Sequence, residues 1–340
     1  MDASNATENK PILSVVLVVY DMADQAKNTL VSLMTDYQVA VNSRDYEVII
    51  VENESPRLMD EGYIRALPEN FSYFLRKEVD PSPVHAINFG ASKASGDNIC
   101  IMIDGARMLT PGLIRNTILG LGISENSVVT APSYHLGDQI QQEAVKNGYG
   151  VDVERALLRT INWPEDGYRL FEISCFSRSS APGFFLPNSE SNSISMPRRL
   201  WAELGGCETR FNICGGGFVN LDLYKRALEI PGVQHVILPG EGTFHQFHGG
   251  ATTGGKKGRD RDELMIAIVG QYSNIRNQEY SSPATSPVYL GEIPTQAQKF
   301  VRESSQRISE RDISFEKRLS QHEKSMLKNP ASAITRFQYL

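Results

Sequence analysis

Chemistry-bearing side chains gather late in this 340-residue sequence, around the stretch GEGTFHQFHGG. His245 and His248 stand three apart, and a glycine-rich loop, Gly249–Gly258, follows with Lys256 and Lys257 in it and Arg259 just beyond. Two histidines beside a cationic glycine loop suit a metal ion or a phosphate group. The plainer alternative is a pair of structural histidines next to a solvated loop. Their spacing sets a condition, because residues three apart in a strand face opposite ways, so both rings reach one site only if the chain turns between them. The run Gly250 to Lys257, GATTGGKK, nearly spells a phosphate-binding loop, but Lys257 stands where that motif needs the Ser or Thr that holds Mg²⁺. It also lies far from the first strand, so the sequence predicts a mobile loop there.

Acidic residues at strand ends are the second group. Ile12–Val19 (ILSVVLVV) is a continuous β-branched run of the kind that forms a strand buried on both faces of a parallel sheet. Helical spacing follows at Ala26, Leu30, Leu33 and Met34 within Asp24–Val41, and then YEVIIVE makes a second buried strand ending at Glu52. Strand, helix and strand in that length form a βαβ unit. Phe71–Leu75 reads as a third strand, Pro83–Ser95 as a helix stopped by Gly96, and Asn98–Ile103 as a strand that delivers Asp104. Tyr20, Glu52 and Asp104 therefore fall at the carboxyl ends of parallel strands, where open α/β sheets bind ligands.

The remaining elements are less regular. A helix follows Pro111, strands are expected near Ser127–Ala131 and Leu170–Phe176, and Pro197–Leu204 starts a helix with Pro in its first turn. Gly205–Gly206 and Gly215–Gly217 bracket a loop before a helix over Phe218–Leu228, and strands follow at Val233–Leu238 and Phe244–His248. Asp262–Asn277 is a helix, Tyr280–Pro294 a Ser- and Pro-rich linker, and Gln296–Lys328 a charged, helix-compatible run. The organisation predicted is a disordered stretch 1–10, one domain 11–278 with its ligand half at 11–108 and its second half at 109–278, a linker 279–295 and a helical extension 296–340.

Three blocks of this sequence resemble glycosyltransferase family 2, whose members have the nucleotide-sugar-binding GT-A fold. The first is PILSVVLVVYDMADQAKNTLVSLM with YEVIIVENES, where Tyr20, Asp21, Glu52, Asn53 and Ser55 match. The resemblance implies that Glu52 hydrogen-bonds the nucleotide base, a role a carboxylate can fill by accepting from an imide N–H, and that Tyr20 lines the base pocket. The second block is HAINFGASKASGDNICIMIDGARM, in which Asn88, Gly90, Ala94 and Gly96 match the approach to an Asp-x-Asp signature. Asp104 matches its first acid, and Ala106 replaces the second. The signature holds a divalent cation on the diphosphate, so Asp104 either binds Mn²⁺ or Mg²⁺ with other ligands or contacts the ribose while Arg107 meets the diphosphate.

The third block is PNSESNSISMPRRLWAELGGCETRFNICGGGFVNLDLYKRA, where the family's Glu-Asp pair, the general base of inverting members, aligns with Val219 and Asn220. An amide takes no proton from a sugar hydroxyl. Candidate replacements are Glu190, preferred because it sits in a polar loop, Glu208, and Asp222, which reads either as an active-site acid or as a packing partner in its helix. The late GEGTFHQFHGG is similar to the GT-A strand whose histidine completes the metal site, which implies His245 with His248 in reserve. Lys256 and Lys257 would then close over the diphosphate. What the resemblance implies is an α/β GT-A enzyme moving a sugar from a nucleotide-sugar donor to a hydroxyl acceptor, inverting or retaining. A degenerate domain that binds without turnover is the alternative.

Bulk properties exclude some classes. Forty Asp and Glu against 34 Lys and Arg give a formal net charge of -6, which disfavours a nucleic-acid binder. No GxGxxG follows the first strand, so a dinucleotide-binding domain is disfavoured. No run of roughly 18 apolar residues predicts a membrane span, and the polar start predicts no secretory leader. Four cysteines without CxxC pairing read as reduced thiols in the cytoplasm. Mixed charge in the extension could pair with a second copy of the chain.

Overall fold

The computed structural model describes residues 10–77, 82–189, 192–249 and 259–311. Its centre is an eight-stranded sheet built from β1 (Leu13–Val19), β2 (Tyr46–Asn53), β3 (Phe71–Arg76), β4 (Asn98–Met102), β6 (Ser127–Thr130), β9 (Ile194–Pro197), β10 (Gln234–Ile237) and β12 (Val288–Tyr289). The order is β12-β10-β6-β9-β4-β1-β2-β3, and β9 alone among these runs antiparallel to its neighbours, β4 and β6. Every residue of β1 is buried, as its β-branched run requires. Leu13, Val15, Leu17 and Val19 face one apolar cluster and Val16 and Val18 the other, so each face of the sheet is covered.

Helices α1 (Ala23–Val31) and α4 (Leu113–Leu121) supply the first face with its apolar stripes. On the other lie α3 (Val84–Lys93), α7 (Arg198–Leu204) and α8 (Val219–Leu228). Gly90 of α3 lets that helix press on the sheet, since a Cβ there would stand 2.5 Å from Val16 Cγ1 and 3.0 Å from Val51 Cγ2. Three short helices, α2 (Glu61–Arg65), α5 (Gln141–Ala144) and α6 (Val151–Thr160), and the later α9 (Arg259–Arg276) complete the layers.

A second, four-stranded sheet joins β5 (Arg107–Leu109), β7 (Ser133–Leu136), β8 (Ser174–Phe176) and β11 (Thr243–His245) in the order β5-β11-β7-β8. Its register sorts side chains by face. Met108, Phe244, Tyr134 and Phe176 lie abreast and turn into an aromatic core, with Tyr134 ring centroids 5.0 Å from Phe244, 5.2 Å from Phe176 and 4.6 Å from Phe300. The adjacent row, Arg107, His245, His135 and Cys175, takes the opposite face.

Several expected elements change. The helix expected over Asp24–Val41 stops at Val31, because the buried Gln38 amide bonds Ser32 O, Thr110 O and the Ile114 N–H and draws the chain into turns. Only Ser174–Phe176 of Leu170–Phe176 is strand, and Gly167–Phe171 is a 3₁₀ turn started by the Asp166 carboxylate on the Tyr168 N–H. Pro197 ends β9 in an extended conformation rather than opening the next helix. The segment expected as a linker contributes β12 to the sheet edge, and Ala297 and Phe300 are fully buried. The ordered domain thus runs past residue 295, into a helix at residues 298–311. Residues 1–9 and 312–340 of the expected terminal segments lie outside the described residues.

Candidate functional site

Asp104 sits where the chain leaves the main sheet for the second one. Beyond β4, Gly105 hugs β1, its N–H donating to Val18 O at 2.7 Å, and a Cβ there would meet that oxygen at 2.8 Å. Asp104 Oδ1 accepts the Ala106 N–H at 3.0 Å, an Asx-type turn that aims the other oxygen outward. That oxygen, Oδ2, lies 2.9 Å from His245 Nε2, 3.9 Å from His248 Nε2 and 3.7 Å from Arg107 Nε. The two histidine Nε2 atoms are 3.2 Å apart. Arg107 Nη1 donates to Ser133 Oγ at 2.9 Å, which fixes the guanidinium across the sheet.

Both histidines reach the same carboxylate because the strand stops at His245 and the chain turns. Gln246 is fully buried: its backbone N–H donates to Ala106 O at 2.8 Å, and its side-chain oxygen accepts from Asn28 Nδ2 at 2.8 Å. At Phe247 the N–H donates to Glu154 Oε2 at 2.8 Å and the carbonyl accepts from Gln25 Nε2 at 2.7 Å. Helices α1 and α6 thus grip two successive residues and swing His248 back toward Asp104. The condition set by the three-residue spacing is met by this grip.

Burial pulls His245 down to about 4, against the opposing pull of Asp104. For Asp104, burial works to raise the pKa, but the neighbouring His245, His248 and Arg107 outweigh it and hold the carboxyl below its ordinary range. One carboxylate oxygen and two imidazole nitrogens, all within 4.8 Å of one another, are a donor set that fits a divalent cation. Mixed nitrogen and oxygen donors suit a transition ion such as Mn²⁺ better than Mg²⁺, which prefers oxygen. Ala106, in the place of the signature's second acid, is fully buried in the core, where a carboxylate would be desolvated.

The other expected site residues divide. Glu52 and Asp104 end strands on either side of β1, about 10 Å apart at the usual strand spacing. Glu52, however, is 0 % exposed: its carboxylate accepts from the Met59 N–H at 3.1 and 3.2 Å and from Tyr73 OH at 2.5 Å. Those bonds hold the segment after β2 back on the sheet. Tyr20 stands 53 % exposed at the rim, and Asn53 is buried with its Oδ1 unpartnered. Asn88 clamps Cys207, donating to its carbonyl and accepting from its N–H at 2.9 Å each, so it serves the fold rather than a ligand.

Asp222 is 1 % exposed, with Arg226 Nε at 2.7 Å and Arg276 Nε at 2.6 Å on its two oxygens. Of its two readings the geometry takes the packing one, since this carboxylate ties α8 to the end of α9. Asn220 Nδ2 donates to Asn192 Oδ1 at 2.9 Å. Glu208 pairs with Arg210, whose hydrogen bond is the main cause that draws its carboxyl down to about 2. Glu190, Lys256 and Lys257 lie outside the described residues. Sequence reasoning missed His135 and Gln141, both buried against His245. They sit in an irregular polar stretch, and only the register of β7 with β11 brings them to the site.

The chain is similar to three solved glycosyltransferase structures. Mannosyltransferase PcManGT from Pyrobaculum calidifontis, in complex with GDP-Man and Mn²⁺, is 14% identical with a TM-score of 0.45, over 97% of this chain and 84% of that one. TarS 1-349 from S. aureus, in complex with UDP-GlcNAc, is 14% identical with a TM-score of 0.47, over 77% of this chain and 66% of that one. GalNAc-T7 with UDP, GalNAc and Mn²⁺ is 15% identical with a TM-score of 0.49, over 77% of this chain and 48% of that one, so the match spans about half of that protein. No family model matches the sequence, and no curated protein matches it.

Proposed function

We propose that this protein is a GT-A glycosyltransferase that moves a sugar from a nucleoside-diphosphate sugar to a hydroxyl acceptor. The observation that carries the reading is the convergence of Asp104, His245 and His248 at the carboxyl rim of a mainly parallel sheet, where such folds bind nucleotides. A divalent cation held there by those three residues would supply positive charge opposite a departing diphosphate. Arg107 steadies Asp104 and adds charge at the same edge. Lys256 and Lys257 are read as closing on the diphosphate, and Tyr20 and Asn53 as lining the base pocket, with Glu52 shaping its floor. Glu190 remains the proposed base for the acceptor hydroxyl. We place the domain in family 2 and in the cytoplasm. Four free cysteines support that compartment, and among the described residues no helix is long and apolar enough to cross a membrane.

A thermal-shift panel of UDP-, GDP- and dTDP-sugars, with and without Mn²⁺, tests the donor half of this reading. Stabilisation by one base class, larger with Mn²⁺, is the expected result, and no shift with any of them sinks it. A second reading is favoured by a specific observation: Val219 and Asn220 stand where the family's base pair aligns and offer no base, and the candidate Asp222 is locked in ion pairs. The domain would then bind nucleotide-sugar without turnover. Release of nucleoside diphosphate from the stabilising donor, followed over hours with Mn²⁺, separates the two.

A further inference from the structure

Gln141 opens α5 directly behind His245 and is fully buried. Its side-chain amide makes two hydrogen bonds to that one residue: Nε2 donates to the His245 carbonyl at 3.0 Å, and Oε1 lies 2.6 Å from His245 Nδ1. A carbonyl oxygen only accepts, so the NH₂ end must face it and the oxygen end must face the ring. That amide oxygen only accepts as well, so the hydrogen on His245 sits on Nδ1. A neutral imidazole carries a single N–H. With that hydrogen on Nδ1, the neutral ring offers Nε2 as its lone pair, and Nε2 is the atom turned toward Asp104 Oδ2 at 2.9 Å and His248 Nε2 at 3.2 Å. The Gln141 backbone N–H donates in turn to His135 Nδ1 at 2.9 Å, and the His135 ring stands 5.5 Å from that of His245, so the clamp is anchored on the next strand of the sheet.

We propose that Gln141 is a positioning residue that fixes His245 as its Nδ1–H tautomer and thereby presents Nε2 as a ligand atom for a divalent cation. This rests on the reading of Asp104, His245 and His248 as a metal centre. A buried glutamine that merely satisfied its own polar atoms could use any carbonyl and any donor. Both bonds of this one go to the ring and the carbonyl of the same histidine, which restrains the ring's rotation as well as its proton.

Histidine-selective ¹⁵N labelling reads the tautomer directly in metal-free protein, with His245 assigned by comparison with His245→Gln. The wild-type ring is expected as Nδ1–H. In Gln141→Leu the acceptor is gone, the ring shifts toward Nε2–H, and Mn²⁺ binding measured by calorimetry weakens roughly 10–100-fold. Gln141→Glu keeps an acceptor at Nδ1, so it retains the wild-type tautomer and binds Mn²⁺ more tightly than the leucine variant. A wild-type His245 found as Nε2–H overturns the proposal, and so does a folded Gln141→Leu that binds Mn²⁺ as wild type does. A wild-type Nδ1–H ring in a protein that binds no divalent ion would leave the clamp standing and remove the metal-dependent transfer reading instead.

Discussion

At His245 and its neighbours, small distances decide what the site can do. Asp104→Asn and His245→Ala are each expected to abolish the extra stabilisation that Mn²⁺ gives a bound nucleotide sugar, while leaving the metal-free melting temperature within a few degrees; parallel thermal scans with Mn²⁺ and Mg²⁺ check this, and Mn²⁺ should give the larger wild-type shift. Glu154 offers a pH signature. Burial raises it from 4.5 to about 7, opposed by its bonds from the Phe247 N–H and Tyr149 OH. A carboxyl whose folded-state value is raised binds its proton more tightly when folded, so its contribution is fully present below about 4.5 and is lost as pH rises to about 7. Glu154→Gln should therefore remove a loss of stability on the order of 3 kcal/mol between pH 4.5 and pH 8, read as the difference between variant and wild-type denaturation midpoints.

At the scale of elements, the site depends on how helices are pinned. The Asp222 carboxylate holds Arg226 within α8 and Arg276 at the end of α9. Replacing it with Asn leaves two guanidinium groups facing a neutral amide, and about 3 kcal/mol of stability should go, measured by urea denaturation. If Asp222 were instead a general base, the same variant would keep its stability and lose only turnover. Gly90→Ala drives a methyl into Val16 and Val51 beneath α3, and about 1–3 kcal/mol of destabilisation is expected by the same measurement.

For the whole molecule, the second sheet and the segment beyond α9 share one aromatic cluster. Phe300 is fully buried among Tyr134, Phe171 and Phe176, although it follows a stretch whose composition reads as a linker. Phe300→Ala is expected to cost about 3–5 kcal/mol, and truncation after Pro294 should give a protein that no longer melts cooperatively in calorimetry. A truncated domain with wild-type melting would show that the aromatic core closes without this helix.

The β-branched runs at Leu13–Val19 and Tyr46–Asn53 and the helix over Val84–Lys93 were legible in the sequence, because burial on both faces of a strand or one stripe of a helix is written in local periodicity. Asp104 just past a strand end was legible for the same local reason. Whether His245 and His248 met was not, since the answer lies in hydrogen bonds of Gln246 and Phe247 with Gln25, Asn28 and Glu154, residues more than 90 positions away. Nor could local pattern tell an acid that faces a ligand from one whose oxygens are taken, as at Glu52 and Asp222. Local sequence sets which face a side chain takes within its own element. Which distant partner waits on that face is decided by packing, and that is why Gln141 and His135 became visible only when β7 came to lie beside β11.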